Sequence, residues 1–152
     1  MGQKYTVEQI IRLLENRQFD DFRFADGCAY IASDRTDEGE ICIEAPGGII
    51  PAEKIPYITN MLRHLDDCIQ KAHAWLGHFS LKKDQWFPQA LDQGFLLYGI
   101  SFGTYTFGHD PEPVTDGFAL TFQTVDSYYP CKFTVRFLGS NLRPVAAEEW
   151  IS

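Results

Sequence analysis

A stripe of apolar residues between Glu53 and Leu76 constrains the fold of this chain more than any other feature. Apolar side chains recur there at alternating steps of three and four residues, at Ile55, Ile58, Leu62, Leu65, Ile69, Ala72 and Leu76. This spacing is the period of an amphipathic helix with one broad buried face. Pro56 lies in the first turn, where proline is tolerated. Gly77 is predicted to end the helix. We therefore expect a long central helix packed on the rest of the protein.

The N-terminal region carries a second helix signal. Thr6 to Gln9 has the form of a capping box, in which the side chains of the first and last residue bond each other's backbone amides. Apolar residues follow on one face as far as Leu14. This pattern predicts a helix from about Val7 to Arg17.

Between these two helices the chain has the pattern of short strands. Asp26-Gly27 is typical of a two-residue hairpin turn, so Cys28 to Ser33 is predicted to return beside the strand around Phe24. In the segment from Glu40 to Glu44, Ile41 and Ile43 alternate with more polar residues and are predicted to point inward. We predict a first antiparallel meander of three strands.

From Phe95 the apolar period changes to two. One predicted strand face carries Leu96, Tyr98, Ile100 and Phe102, and the other carries a shallow trough at Gly99, Ser101 and Gly103. The large residues change face after Gly103, which indicates a bulge. Alternation over Phe118 to Phe122 and over Phe133 to Phe137 completes a second predicted meander. Ala146 to Ile151 is predicted to be a helical turn or a loose tail, and Pro88 to Gly94 a short helix.

The predicted fold is α+β, with two antiparallel β-meanders, a long central amphipathic helix and an N-terminal helix packed on the sheet. We expect a single domain over residues 1–152, because each half alone is near the lower size limit for an independent core. The pattern leaves open whether the meanders form one sheet or two.

The net charge of −8, from 21 acidic and 13 basic residues, disfavours nucleic-acid binding, which needs a basic footprint. It is compatible with a basic protein partner. The longest uncharged run, Gln93 to His109, is too polar for a membrane span. No secretion signal precedes the four cysteines and no CxxC is present, so we expect free thiols in a reducing cytoplasm. The sequence does not indicate an oligomeric state.

Motifs for catalysis or metal binding are not found. His64 and Cys68 have helical i, i+4 spacing, but no HExxH or paired CxxC accompanies them. There is no GxSxG elbow and no phosphate-binding glycine loop. We therefore expect no catalytic residue, metal or cofactor, and favour a non-enzymatic binding protein. The alternative is a small ligand-binding domain or enzyme that uses the trough at Gly99, Ser101 and Gly103.

Aromatic and acidic residues cluster near the turns of the second predicted meander. Aromatic side chains with polar tips are favoured at protein interfaces, and acidic side chains steer a basic partner. The predicted partner surface comprises Tyr105, His109, Asp110, Glu112, Asp116, Tyr128 and Tyr129.

Three stretches carry a resemblance to a known group of proteins. They are Trp75 to Leu81, Leu97 to Phe102, and Gly117 to Phe122 with Phe133 to Phe137. Together they resemble small bacterial α+β domains of unknown function, some of which are grouped with immunity proteins of polymorphic toxin systems. The resemblance covers less than half of the chain and transfers no functional residue. It implies a cytoplasmic, acidic, non-enzymatic protein that masks a toxin.

Overall fold

The structure is a computed structural model that describes residues 3–36, 39–80, 95–105, 114–124, 131–138 and 142–151. Its helices are α1 (Val7–Glu15), α2 (Ile55–Arg63) and α3 (Leu65–Ser80). Its strands are β1 (Arg23–Ala25), β2 (Cys28–Ile31), β3 (Ile41–Glu44), β4 (Phe95–Tyr105), β5 (Val114–Thr124), β6 (Cys131–Leu138) and β7 (Arg143–Ile151). Two short 3-10 helices, Pro46–Gly48 and Ala52–Lys54, precede α2. Together these elements show the α+β class.

The seven strands form one mixed sheet in the order in which they follow along the chain. Strands β1 to β3 pair antiparallel, as do β4 to β7. The two runs are joined because β3 pairs in parallel with β4, with Cys42 opposite Ser101. A parallel neighbour needs a crossover connection, and α2 and α3 lie in the chain between β3 and β4. The sequence left open whether the two antiparallel runs form one sheet or two, and this parallel pairing shows that they form a single sheet.

The central helix is interrupted, contrary to the prediction of one continuous helix. It ends at Arg63, and α3 begins at Leu65. His64 leaves helical geometry at φ −110° and ψ 26°, and its ring Nδ1 lies 2.8 Å from the Asn60 carbonyl oxygen. The buried stripe stays in phase across the break, which is why periodicity alone could not detect it. The predicted end at Gly77 is also wrong, since α3 continues to Ser80.

Local signals near the N terminus are confirmed. The Gln9 amide donates to Thr6 Oγ1 at 3.1 Å, and the Thr6 amide donates to Gln9 Oε1 at 2.9 Å. Asp26 and Gly27 connect β1 and β2 with φ values of 52° and 76°, the left-handed geometry that this type of tight hairpin turn needs. Both features depend on residues close in sequence, so they form as predicted.

The core lies between the helices and one face of the sheet. The Tyr57 and Phe102 rings are 5.8 Å apart and place α2 over β4. His73 and Phe122, 5.0 Å apart, place α3 over β5. The strands contribute alternate buried residues to this face, which are Ala29, Ile31, Ile41, Ile43, Ile100, Phe102, Phe118, Leu120, Phe122, Phe133, Val135 and Phe137.

A bulge in β4 changes the predicted faces of that strand. The register shifts between Leu97 and Gly99, so that Leu97 pairs with Phe122 while Gly99 pairs with Thr121. Leu97 then packs against the core, whereas Leu96 is 45% exposed. The predicted shared face of Leu96, Tyr98, Ile100 and Phe102 is therefore wrong, because an extra residue in one strand reverses the alternation. A second shift, between Gly103 and Tyr105, agrees with the predicted bulge.

The C-terminal segment is a strand and not the predicted helical turn or tail. Strand β7 pairs along its length with β6, from Leu138 opposite Arg143 to Cys131 opposite Ile151. Alanine and glutamate favour a helix in isolation. Pairing with an existing sheet edge overrides that preference, which is a tertiary effect. The predicted helix at Pro88 to Gly94 lies outside the described residues.

Candidate functional site

Two of the seven residues of the predicted partner surface lie within the described part of the chain. Tyr105 ends β4 and Asp116 lies near the start of β5, at the same end of the sheet. The other five predicted residues lie outside the described ranges; they are His109, Asp110, Glu112, Tyr128 and Tyr129. Thr124 is the last residue of β5 and lies at the other end of that strand from Asp116. At about 3.3 Å per residue this is roughly 25 Å from Asp116.

The trough at Gly99, Ser101 and Gly103 is lined closely by β3. A Cβ atom at Gly103 would lie 3.3 Å from Glu44 Oε2, and one at Gly99 would lie 3.3 Å from the Glu40 carbonyl oxygen. The glycines therefore allow β3 to approach β4. This packing leaves little room for a ligand at either glycine.

An open depression lies on the helical layer, between α1 and the α2–α3 pair. We call this the α1–α2 groove; it comprises two adjoining cavities of about 380 and 520 Å³. Its floor is apolar, and its rim carries the charged residues Glu8, Arg12, Glu15, Arg17, Arg35, Arg63 and Asp66. The sequence analysis missed this groove, because its walls come from segments far apart in the chain.

Two ion pairs lie along the α1–α2 groove. Arg63 Nη2 is 2.7 Å from Glu15 Oε2 and Arg35 Nη2 is 2.6 Å from Asp66 Oδ1. The Arg63 and Glu15 side chains are each almost half exposed, so this pair contributes little to folding stability. Both carboxylates are nevertheless placed where they bind a guanidinium group.

A cluster of two thiols and one hydroxyl lies on the sheet face opposite the core. In the β2–β3 register Tyr30 pairs with Cys42, and Cys28 is the diagonal neighbour of Cys42. We call Cys28, Tyr30 and Cys42 the thiol cluster. The charge interaction with Cys42, followed by that with Cys28, raises the pKa of Tyr30. The alternation around Ile41 and Ile43 placed Cys42 outward, so the sequence contained a signal for this cluster.

The environments of two cysteines disfavour the thiolate. Burial, followed by the interaction with Cys28, raises the pKa of Cys42 to about 12. Burial raises the pKa of Cys68 to about 11, with Lys71 opposing the shift and Asp67 adding to it. A thiol is a poor nucleophile while it stays protonated. The thiols of Cys28, Cys42 and Cys68 are free, as predicted.

The spacing of His64 and Cys68 does not bring two metal ligands together. His64 is exposed and its ring contacts the Asn60 carbonyl oxygen, while Cys68 is fully buried in the core. Across the described ranges, groups of three or more histidine, cysteine or acidic residues with metal-binding geometry do not occur. Among the described helices, none combines the length and hydropathy of a membrane span.

Fold and surface together define an α+β protein with a seven-stranded mixed sheet, a helical layer on one face and a charged groove in that layer. A comparison of the chain with protein-family models, curated proteins and solved structures finds no match. The functional argument therefore depends on the residues themselves.

Alkaline pH is expected to destabilise the fold through Cys68. Its pKa is raised in the folded state, so the stabilising contribution is complete below the unfolded pKa and is lost as pH rises from about 8.5, the ordinary cysteine value, through the folded value of about 11. Urea unfolding at pH 8 and pH 10.5 measures this decline. Cys68→Ala should show a smaller decline between the two pH values than the parent chain. Equal declines would contradict the assignment to Cys68.

Proposed function

We propose that this protein is a non-enzymatic binding protein that masks a basic protein partner, as an immunity protein masks a toxin. The observation that carries the proposal is the net charge of −8. An acidic surface speeds encounter with a basic partner and excludes acidic competitors. A cytoplasmic location is part of the proposal, and the free thiols suit a reducing compartment.

The rim of the α1–α2 groove carries four arginines and three acidic residues, so the groove is a second candidate contact area and not part of the acidic surface. Glu15 and Asp66 each bind an arginine of the same chain at 2.7 and 2.6 Å. Both carboxylates are therefore engaged within the chain, and a partner cation would have to displace Arg63 or Arg35 to reach them. An apolar floor under a charged rim is also the usual anatomy of a protein interface.

The raised pKa values of Cys42 and Cys68 favour binding over nucleophilic catalysis. The alternative function in the trough has less support, because Glu44 lies against Gly103 there. Tyr105 and Asp116 remain proposed partner contacts, together with Asp110 and Glu112. Tyr105 and Asp116 lie at the same end of the sheet, at the end of β4 and near the start of β5.

The test compares two triple variants with the same net charge. Asp110→Ser, Glu112→Ser and Asp116→Ser together remove three negative charges from the proposed surface. The control removes three exposed charges elsewhere, with Asp20→Ser, Asp34→Ser and Glu53→Ser. Proteins from the source cell that bind the immobilised parent chain at low salt and are released at high salt are identified and purified. Association rates are then measured at two salt concentrations.

The first triple variant should associate at least about tenfold more slowly at low salt and respond less to salt, because rim charges act mainly on association. The control variant should stay close to the parent chain. Equal rates for the parent and the first variant would remove the proposed role of these acids. Failure to recover any basic partner would refute the proposed function.

A further inference from the structure

The thiol cluster has a geometry that the proposed binding function does not use. We propose that Cys28 and Cys42 form a two-coordinate site for a soft monovalent metal ion, with copper(I) as the ion. The inference is independent of the proposed function, because it concerns the opposite face of the sheet from the α1–α2 groove.

The register gives the pair its spacing. Cys28 is opposite Glu44 and Cys42 is opposite Tyr30, so the two cysteines lie on one face and diagonally across β2 and β3. Diagonal Cβ atoms in an antiparallel pair are somewhat less than about 7 Å apart. A disulfide needs Cβ atoms about 3.8 Å apart. The pair is therefore too widely spaced for a direct sulfur–sulfur bond without movement of the strands.

A metal ion between the two sulfurs fits this spacing better. With metal–sulfur bonds of about 2.3 Å, the length found for zinc, two sulfurs on opposite sides of one ion lie roughly 4.6 Å apart. Tyr30 stands opposite Cys42 and two residues from Cys28, so both sulfurs lie on the same face beside one ring. A small rotation of the two side chains would then admit the ion.

The donor set indicates the class of ion. Thiolates are soft ligands that select copper(I) among the first-row metals. A structural zinc site needs four ligands, and metal-binding groups of three or more histidine, cysteine or acidic residues do not occur in the described part of the chain. Copper(I) forms stable complexes with only two thiolate ligands, in a linear arrangement.

Charged side chains of both signs surround the thiol cluster, since Glu44 is opposite Cys28 in the register and Arg23 lies beside Tyr30. Two thiolates and one copper(I) ion leave a charge of minus one. The Arg23 guanidinium lies 4.4 Å from the centre of the Tyr30 ring, beside the cluster. Its ion pair with Glu40, at 2.7 Å, reduces the compensation that it provides. Binding releases a proton from each thiol, since a coordinating thiol is deprotonated by the metal.

The test uses copper(I) supplied as its acetonitrile complex under anaerobic conditions, with a chelator of copper(I) as competitor. The parent chain should retain one copper ion, while Cys28→Ser and Cys42→Ser should each retain only the background amount. Cys68→Ala is the matched control, because it removes a thiol outside the cluster, and it should retain copper like the parent. Circular dichroism checks that each variant is folded.

Alkylation provides a readout that does not depend on the variants. Copper(I) should protect Cys28 and Cys42 of the parent chain from iodoacetamide, as measured by peptide mass spectrometry. No retention by the parent, or undiminished retention by folded Cys28→Ser, would overturn the proposal. Formation of a Cys28–Cys42 disulfide by glutathione disulfide would also overturn it, because the spacing argument requires that the two sulfurs do not bond directly.

Discussion

Leu120→Asp is expected to unfold the protein, whereas the same substitution at Leu96 should be tolerated. Leu120 is fully buried in β5, between Ile100 on β4 and Val135 on β6. An aspartate there would lose the leucine packing and bury a charge between apolar neighbours. The combined cost should be at least about 5 kcal/mol, which is comparable to the total stability of a typical domain.

Leu96 is the matched control because it lies in the same sheet and receives the same substitution. Its side chain is 45% exposed, so Leu96→Asp should change the free energy of unfolding by less than about 1 kcal/mol. Urea unfolding and the yield of soluble protein measure both variants. Equal destabilisation at the two positions would show that the bulge between Leu97 and Gly99 is wrong and that Leu96 packs inward. Leu62 and Leu65, each 2% exposed, should respond to aspartate as Leu120 does.

Gly39→Ala is expected to disrupt the joint between the two antiparallel runs. The Gly39 amide donates to the Tyr98 carbonyl oxygen at 2.9 Å, just before β3 begins. A Cβ atom at Gly39 would overlap that same carbonyl oxygen. Because the obstacle is backbone, relief requires β3 and β4 to separate. Overpacking and the lost hydrogen bond together should cost about 3 kcal/mol, or roughly 10 °C in melting temperature.

Gly47→Ala separates this clash from the general cost of replacing a glycine. Gly47 has a φ of 67° and no atom within 4 Å of a Cβ position, so alanine there meets only backbone strain of about 1–2 kcal/mol. Thermal unfolding followed by circular dichroism compares the two variants. A melting temperature for Gly39→Ala equal to or above that of Gly47→Ala would show that β3 and β4 do not approach as closely as described.

Tyr98 contacts both the joint between β3 and β4 and a residue of β6. Its carbonyl oxygen accepts a hydrogen bond from the Gly39 amide, and the centre of its ring lies 4.0 Å from Lys132 Nζ. Neither contact involves the thiol cluster. Loss of stability in Gly39→Ala would therefore not by itself decide whether Cys28 and Cys42 bind copper(I).

Features whose causes lie within a few residues could be predicted from the sequence alone. The capping box at Thr6 and Gln9 and the turn at Asp26-Gly27 form as predicted, because their hydrogen bonds and dihedral angles are local. The inward position of Ile41 and Ile43 follows from alternation alone. The α+β class followed from the change between helical and strand periods.

How these parts combine depends on contacts between segments that are distant in the chain. The parallel contact between β3 and β4 depends on a close approach at Gly39, and β7 forms because the edge of β6 is available to pair with it. The same holds for the α1–α2 groove and the thiol cluster, whose members come from different elements. Periodicity reports which side of an element is buried. It carries no information about which element lies beside it, because that choice depends on contacts between residues distant in the chain.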